Sequence, residues 1–202
     1  MNVLIVVGSH RRHSNSLKVA KYLETTLTSN FHDIDTDVLE LADENVPLWN
    51  ESLWQASSSD KLIWQAYAER VKQADSLILV APEYAGMCPP ILKNFLLLCS
   101  HEETAHKPVL LAGVSSGRGG HYPLAELRQF SFKNSHLCIL PTNVLVTNAN
   151  NVLSDSQPDS EDDVNLRNHI NHQLHLFSEY SIALKRMREE STCDMAAFPY
   201  GV

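Results

Sequence analysis

Short, uninterrupted apolar runs alternate along this chain with longer stretches in which apolar residues recur at helical spacing. Three of the runs occupy residues 3–7, 77–81 and 109–114, and each ends at a polar or glycine-containing segment. A run of this length and composition is typical of a strand buried on both faces, as in a parallel sheet covered by helices. The pattern therefore predicts an α/β layer structure.

Two further strands complete the predicted sheet. Residues 34–41 alternate between apolar and acidic side chains, which is typical of a half-exposed strand at a sheet edge, and residues 137–140 form a fifth run. A second helix follows a serine cluster that caps it, and this helix carries Leu62, Ile63, Ala66, Tyr67, Val71 and Ala74. The order βαβαβαβαβα favours a three-layer, doubly wound, five-stranded parallel sheet with strand order 2-1-3-4-5.

The composition fits one globular domain over residues 1–202, with residues 191–202 as a C-terminal tail. The chain has 202 residues, is 44% apolar and carries a formal net charge of -8, which argues against a nucleic-acid-binding surface. No apolar run approaches the roughly 20 residues that span a bilayer, and no basic leader precedes the first strand. The cysteines lack metal-site spacing, so reduced thiols, no metal and a cytoplasmic location are expected.

Unusual loops follow the first, third and fourth predicted strands. In this strand order the three loops are expected to meet at the carboxyl edge of the sheet, where doubly wound folds hold their ligands. The first loop places Ser9, Ser14 and Ser16 around a helix start that points N–H groups toward an anion. Arg11 adds a planar fork that matches phosphate oxygens, so the loop has the parts of a phosphate site.

These residues alone leave two interpretations of the first loop open, phosphate binding and an ordinary capped turn with solvated arginines. A Walker loop is excluded because no Gly-Lys-Ser/Thr follows, and a cysteine phosphatase loop because no cysteine precedes Cys88. The loop at residues 115–120 holds three glycines, so its backbone can approach a flat ligand closely. A flexible strand-to-helix turn would have the same composition.

The chain resembles the NADPH-dependent FMN reductase family, which has a flavodoxin-like fold. The resemblance covers about residues 1–146 and rests on four segments: Gly8-Ser9-x-Arg11-x-x-Ser14, Pro47-Leu48-Trp49-Asn50, Pro82-Glu83-Tyr84 with Leu92-Lys93-Asn94, and Ser116-Gly117-Arg118-Gly119-Gly120. The first and third segments, at this spacing, make the resemblance specific.

The resemblance implies an FMN-dependent oxidoreductase that takes hydride from NADPH or NADH and passes it to an acceptor. The cofactor carries this chemistry, so no catalytic side chain is expected. The FMN phosphate would be held by Ser9, Arg11, Ser14 and Ser16. The ring would lie, largely against backbone groups, along Pro82, Glu83, Tyr84, Ala85 and Gly86. Its pyrimidine side would face Ser115, Ser116, Gly117, Gly119 and Gly120.

Two positions depart from the family pattern. Ala85 stands where the family usually has Asn, which affects contacts to the ring, and Leu97 stands where it usually has an acidic residue. Leu97 falls in a region that packs between subunits in family members, which are dimers or tetramers. A homodimer or homotetramer is therefore expected, with a small-molecule electron acceptor such as a free flavin, a quinone, an azo dye or chromate.

Two other functions are compatible with these residues. One is a flavodoxin-like electron carrier that binds FMN but takes no hydride from a nicotinamide, and the other is a flavin-free interaction protein on the same fold, which Ala85 keeps open. No second nucleotide fingerprint is present, so NADH and NADPH are equally compatible.

The last helix carries three histidines assigned to a solvated or interface position, His169, His172 and His175, and Cys88 is expected to pack as a small apolar residue.

Overall fold

The computed structural model describes residues 1–130, 133–194 and 197–198, so part of the expected tail at 191–202 lies outside the described residues. The strands are β1 (Asn2–Val7), β2 (Asp35–Glu40), β3 (Ser76–Pro82), β4 (Pro108–Val114) and β5 (Cys138–Val146). They form one parallel sheet in the order β2-β1-β3-β4-β5. The predicted doubly wound topology is confirmed, with β2 at one edge as its alternating sequence indicated.

The helices are α1 (Asn15–Asn30), α2 (Ser59–Gln73), α3 (Pro90–Leu98), α4 (His101–Thr104), α5 (His121–Phe130) and α6 (Glu161–Glu190), with a short 3-10 helix at Glu51–Trp54. Serine side chains cap four of them, and Ser14 Oγ accepts the Leu17 N–H at 3.1 Å at the start of α1. Within the described residues, none of the helices combines the length and apolarity needed to cross a membrane.

Two hydrophobic cores lie on opposite faces of the sheet. Successive strand residues point to opposite faces, so Val3 and Ile5 pack toward α1 and α6 while Leu4 and Val6 pack toward α2, α3 and α5. β3 and β4 are buried along their whole length because helices cover both of their faces. The result is the expected three-layer α/β architecture.

Only some of the apolar residues of α2 face the core. Trp64 is buried and packs edge-on against Phe95 with ring centroids 5.6 Å apart, whereas Leu62 is 58% exposed and Ile63 is 36% exposed. The inward face runs through Trp64 and Val71, which are two helical turns apart. The large indole fills the space against α3, so the helix is rotated and leaves the two aliphatic side chains at the surface.

The polar stretch between β5 and α6 is anchored in its first half. Ala149, Val152 and Leu153 are buried against the α1–α6 core. Lys18 Nζ donates to Ala149 O at 2.5 Å and to Val152 O at 2.7 Å. Burial lowers the pKa of Lys18. Residues 154–160, before the acidic first turn of α6, are exposed throughout.

β5 is longer than its apolar run indicated. The β4–β5 register shifts between Val109 and Leu111, so the strand bulges and then continues to Val146. Arg128 compensates the bulge, because its guanidinium donates to Leu140 O at 2.6 Å and to Thr142 O at 3.0 Å. The extension brings the end of β5 beside the end of β4, at the edge where the predicted ligand loops lie.

Candidate functional site

The loops that follow β1, β3 and β4 lie side by side at the carboxyl edge of the sheet, as predicted. They are called loop 1 (residues 8–14), loop 3 (residues 83–89) and loop 4 (residues 115–120) below. Backbone hydrogen bonds join the strand ends: the Gly8 N–H donates to Val80 O at 2.9 Å, and the Glu83 N–H donates to Val114 O at 2.9 Å. Loop 3 is therefore fixed between the other two.

Ser9, predicted to hold a phosphate, is fully buried and its hydroxyl is already engaged within the protein. Ser9 Oγ accepts the Arg11 N–H at 3.0 Å and shares a 2.8 Å hydrogen bond with the Tyr84 hydroxyl. These bonds fold loop 1 back on itself and tie it to loop 3. The side chain of Ser9 therefore shapes the loop, and its contribution to an anion site would come through its backbone.

The remaining phosphate-loop residues are disposed around the start of α1. Ser14 Oγ is used as the helix cap, while Ser16 Oγ is buried and has no hydrogen-bond partner among the described residues. The Arg11 side chain is exposed, and the described residues offer it no ion pair. An orphaned hydroxyl, a free guanidinium and unpaired N–H groups at a helix N-terminus are together suited to a phosphate group.

Acidic groups border loop 1 on the side of β2. Arg12 forms an exposed ion pair with Asp43, with Nε and Oδ1 2.6 Å apart. Burial raises the pKa of Glu40 at the end of β2, and the neighbouring Asp43 carboxylate adds to the effect. The two adjacent arginines therefore differ in their contacts, because Arg12 is ion-paired with Asp43 and Arg11 has no ion pair among the described residues.

Loop 3 contains a tight turn that presents backbone donors to solvent. Tyr84 and Met87 exchange two backbone hydrogen bonds, of 3.0 and 3.1 Å, and the central residues Ala85 and Gly86 have φ angles of 50° and 77°. Two positive φ angles in sequence define a type I′ turn, for which Asn-Gly is a preferred pair. The turn persists with Ala85, and the exposed N–H groups of Ala85 and Gly86 have no acceptor in the described part of the chain.

Loop 4 has an open backbone at its tip and a crowded one at its end. A β-carbon at Gly117 would have Ser115 Oγ as its nearest neighbour, at 3.9 Å, whereas one at Gly119 would lie 2.6 Å from Glu83 Oε1. Ser115 Oγ accepts the Gly117 N–H at 3.1 Å, and the Ser116 side chain is exposed. The Gly120 N–H donates to Glu83 Oε2 at 2.5 Å. Loop 4 is thus held against loop 3 and leaves its tip accessible.

The segment after β5 also borders the site, which sequence reasoning missed. The Asn148 N–H donates to Gly117 O at 2.8 Å, and the Ala149 N–H donates to Ser115 O at 3.0 Å. Asn150 Oδ1 accepts from the Asn15 side chain at 2.7 Å and so reaches the start of α1. The apolar residues scattered through this polar stretch were the available indication that it is anchored.

The Leu92-Lys93-Asn94 motif supports the site from below. Leu92 packs under loop 1, since a β-carbon at Gly8 would lie 2.6 Å from Leu92 Cδ2. Asn94 holds the segment after β2, because its side chain donates to Pro47 O at 2.9 Å and accepts the Trp49 N–H at 2.8 Å. Leu92 and Asn94 therefore contact the two family-like segments that begin at Gly8 and Pro47.

Glu126 on α5 fixes the end of loop 3. Its carboxylate accepts the Cys88 N–H at 2.8 Å and pairs with Lys93 Nζ at 2.6 Å. The hydrogen bonds from Lys93 and from the Cys88 backbone lower the pKa of Glu126. Burial raises the pKa of the Cys88 thiol to about 12, so the thiol is protonated at neutral pH and packs as an apolar group, as expected.

The histidines predicted to be solvated are exposed on α6. His169 Nε2 lies 3.2 Å from Asn143 O, and His175 stacks on Phe31 with ring centroids 6.1 Å apart. Across the described residues, no group of three His, Cys, Asp or Glu side chains is arranged to hold a metal ion.

The three loops fit the phosphate and the flat ring of FMN. Loop 1 offers an orphaned buried hydroxyl and a helix N-terminus for the phosphate, while loops 3 and 4 offer outward N–H groups for ring acceptors. The site is an open edge rather than an enclosed cavity. A hollow of about 120 Å³ exists at the opposite, amino edge, lined by Asn2, Asp37 and Arg70 among others. This hollow lies away from the Ser16 hydroxyl, the start of α1 and the N–H groups of loops 3 and 4.

Comparison with known proteins shows the family of this chain. Residues 1–151 match the family model described as NADPH-dependent FMN reductase. An FMN-dependent NADPH-azoreductase of Staphylococcus haemolyticus is 35% identical over 129 residues, which cover 63% of this chain and 68% of that protein.

Solved structures show the same fold. The flavoenzyme NAD(P)H:(acceptor) oxidoreductase FerB from Paracoccus denitrificans superposes with a TM-score of 0.70 at 20% identity, over 90% of this chain and 97% of that one. The apo form of the NADH:FMN oxidoreductase EMOB gives a TM-score of 0.65 at 18% identity, over 96% and 91% of the two chains.

Proposed function

The chain belongs to the NADPH-dependent FMN reductase family, and we propose that it takes hydride from NADPH through bound FMN and reduces a small-molecule acceptor. The observation that carries the proposal is the joining of three loops at one sheet edge, with an unpartnered Ser16 hydroxyl and outward N–H groups around the opening. That set of donors has no use within the described protein and suits a phosphorylated flavin.

FMN, when bound, supplies the hydride chemistry, and the chain contributes binding and orientation. We assign the phosphate to Arg11, Ser16 and the first N–H groups of α1. We assign the ring to the backbone of Ala85 and Gly86 and to the tip of loop 4, with Ser115 and Ser116 at its border. The N–H dipoles of loop 4 then lie where they can stabilise negative charge on a reduced ring.

NADPH is the proposed donor because the family and the azoreductase relatives are named for it. Arg118 at the tip of loop 4 is exposed, and the described residues give it no ion pair. A guanidinium in that position suits the 2′-phosphate that distinguishes NADPH from NADH. The Tyr84 hydroxyl is committed to Ser9 and is not assigned to the donor.

An aromatic azo compound is the acceptor we propose to test first, because relatives named azoreductases are 35% and 34% identical over 63% of this chain. Quinones, free flavins and chromate remain the comparison set. The site is open at the sheet edge, which suits acceptors of different shapes.

The test is an anaerobic absorbance experiment on purified protein titrated with FMN. The expected result is a bound-flavin spectrum that bleaches on mixing with NADPH within the turnover time and recovers when an azo dye is added. A flavin that binds but is not bleached by NADPH or NADH would make the protein a flavodoxin-like carrier. No uptake of FMN at any concentration would leave a flavin-free interaction protein.

We also propose that the chain assembles as a homodimer or homotetramer. Exposed apolar side chains lie on neighbouring elements beside the site: Leu48, Trp54, Leu62, Ile63 and Leu97. Asn94 on α3 hydrogen-bonds Pro47, which precedes Leu48. The 3-10 helix that contains Trp54 packs on α2. A set of large apolar groups on adjoining elements is characteristic of an interface, and we call these five residues the apolar face.

We propose a cytoplasmic location. All four cysteines are free thiols, which suits a reducing compartment, and NADPH is the intended donor. Cell fractionation with an antibody to the chain tests this directly. Recovery of the protein in a secreted or membrane fraction would overturn it.

A further inference from the structure

Glu83 faces loop 4 rather than solvent. Its Oε2 accepts the Gly120 N–H at 2.5 Å, and its own N–H donates to Val114 O at 2.9 Å. A carboxylate accepting a backbone N–H forms a charge-assisted hydrogen bond, which is stronger than a neutral one. Glu83 therefore holds loop 4 at both ends, through its main chain at Val114 just before the loop and through its side chain at Gly120.

The sequence of loop 4 is adapted to this carboxylate. A β-carbon at Gly119 would lie 2.6 Å from Glu83 Oε1 and 2.9 Å from its carboxyl carbon. Gly120 has a φ of 109°, a conformation that side chains other than glycine rarely adopt. Two of the loop's glycines are thus required by the contact with Glu83 and by the turn that presents the Gly120 N–H to it.

Tyr84 makes the equivalent connection on the other side. Its hydroxyl lies 2.8 Å from Ser9 Oγ, which in turn accepts the Arg11 N–H. β3 lies between β1 and β4 in the sheet, so residues leaving its end have loop 1 on one side and loop 4 on the other. Two adjacent side chains therefore connect all three loops.

We propose that Glu83 and Tyr84 are positioning residues that hold the three loops in their binding arrangement before any cofactor arrives. Their side chains bond to protein groups, and the ligand-facing donors are the backbone N–H groups that they set in place. Preorganising a site lowers the ordering cost at the moment of binding, so these residues contribute to FMN affinity without touching the phosphate. The inference rests on the proposed FMN site, but the arrangement of the loops can be measured without cofactor.

The first arm of the test is hydrogen exchange of the apoprotein. Glu83→Ala should speed exchange of amides in residues 115–120 by roughly tenfold, while Glu83→Gln, which keeps an acceptor, should stay close to wild type. Tyr84→Phe should speed exchange in residues 9–14 instead. Glu102→Ala, at an exposed carboxylate on α4, is the matched control and should leave both segments unchanged.

The second arm is the dissociation constant for FMN, followed by quenching of flavin fluorescence. Glu83→Ala and Tyr84→Phe should each weaken binding by about 10-fold, with Glu83→Gln restoring most of the loss. Should Glu83→Ala fail to fold, Glu83→Asp, one methylene too short to reach Gly120, takes its place.

Unchanged exchange in residues 115–120 for Glu83→Ala, or a Glu83→Gln variant as impaired as Glu83→Ala, overturns the inference even if wild-type protein binds FMN. Failure of the wild type to bind FMN overturns the proposed function, and the exchange arm then still decides whether the two side chains order the loops.

Discussion

Arg11 and Arg12 are neighbours in sequence but differ in what their guanidinium groups contact. Arg12 pairs with Asp43, while Arg11 is free in the described structure and lies at the start of α1. Arg11→Ala should therefore weaken FMN binding by about 10- to 100-fold, the value of a charge-assisted contact to phosphate, without changing the unfolding midpoint.

Arg12→Ala is the matched control and should change the FMN dissociation constant by less than about threefold, because an exposed ion pair contributes little. Both constants can be measured by fluorescence titration at one ionic strength. Equal losses in the two variants would contradict the assignment of the phosphate to Arg11.

Ala85 occupies a backbone conformation that suits asparagine or glycine. A left-handed conformation costs an ordinary residue about 1–2 kcal/mol, and Ala85 has a φ of 50°. Ala85→Asn should therefore raise the free energy of unfolding by roughly 1 kcal/mol, measured by urea denaturation of the apoprotein. Ala85→Val should lower it, because a β-branched residue is poorly tolerated at positive φ. A destabilised Asn variant would contradict the turn assignment.

Residue types and spacing were enough to select the serines and Arg11 of loop 1, but not to assign their individual contacts. Ser9 and Ser16 look equivalent in the sequence, yet Ser9 is bonded to Tyr84 across 75 positions of chain and the Ser16 hydroxyl has no partner among the residues that the structure describes. Such contacts depend on which strands become neighbours, and local sequence does not encode them. The function of these residues in binding FMN stays a prediction.

The C-terminal end of α2 depends on a buried lysine. Lys107 Nζ donates to Val71 O at 2.7 Å and to Lys72 O at 2.9 Å, two carbonyls that the helix itself leaves unpaired. Burial lowers the pKa of Lys107 to about 8 from an ordinary value of 10.5, and the positive charge of Arg188 adds to the effect.

The pH dependence follows from this shift. Between pH 8 and 10.5 the unfolded chain keeps a proton on Lys107 that the folded chain releases, so stability should rise with pH across that window. The free energy of unfolding should rise by on the order of 2 kcal/mol between pH 8 and pH 10. This rise should be absent in Lys107→Met. Urea denaturation at several pH values measures it.

Lys72→Met, at the exposed lysine beside the same carbonyls, is the control and should keep the wild-type slope. A Lys107→Met slope indistinguishable from wild type would show that Lys107 has an ordinary pKa in the folded protein. Because only differences between variants are used, other groups that titrate above pH 8 cancel.

Elements with strong periodicity were predictable, and those that depend on tertiary contacts were not. The buried runs of β1, β3 and β4 and the start of α1 near Ser14 and Ser16 follow from local sequence. The inward face of α2 does not follow from the sequence, because Trp64 rather than Leu62 or Ile63 fills the space against Phe95. The extension of β5 depends on Arg128, whose bonds to the bulge no periodicity indicates.

The apolar face is the surface through which we propose that the subunits associate. If the chain pairs through it, Leu62→Glu together with Leu97→Glu should convert the dimer to a monomer, because burying two carboxylates at an interface is unfavourable. Sedimentation velocity at micromolar concentration measures the change. Ile182→Glu, at a residue 56% exposed on α6, is the control and should leave the dimer intact. A double variant with the wild-type sedimentation coefficient would place the interface elsewhere.

The central claim is that loops 1, 3 and 4 jointly bind FMN at the carboxyl edge of the sheet. A crystal structure of the protein grown with excess FMN tests it most directly. The FMN phosphate is expected within hydrogen-bond distance of Arg11, Ser16 and the first N–H groups of α1. The ring is expected between the Ala85–Gly86 turn and the tip of loop 4. A structure in which FMN is bound elsewhere, or in which this edge stays empty under saturating FMN, would contradict it.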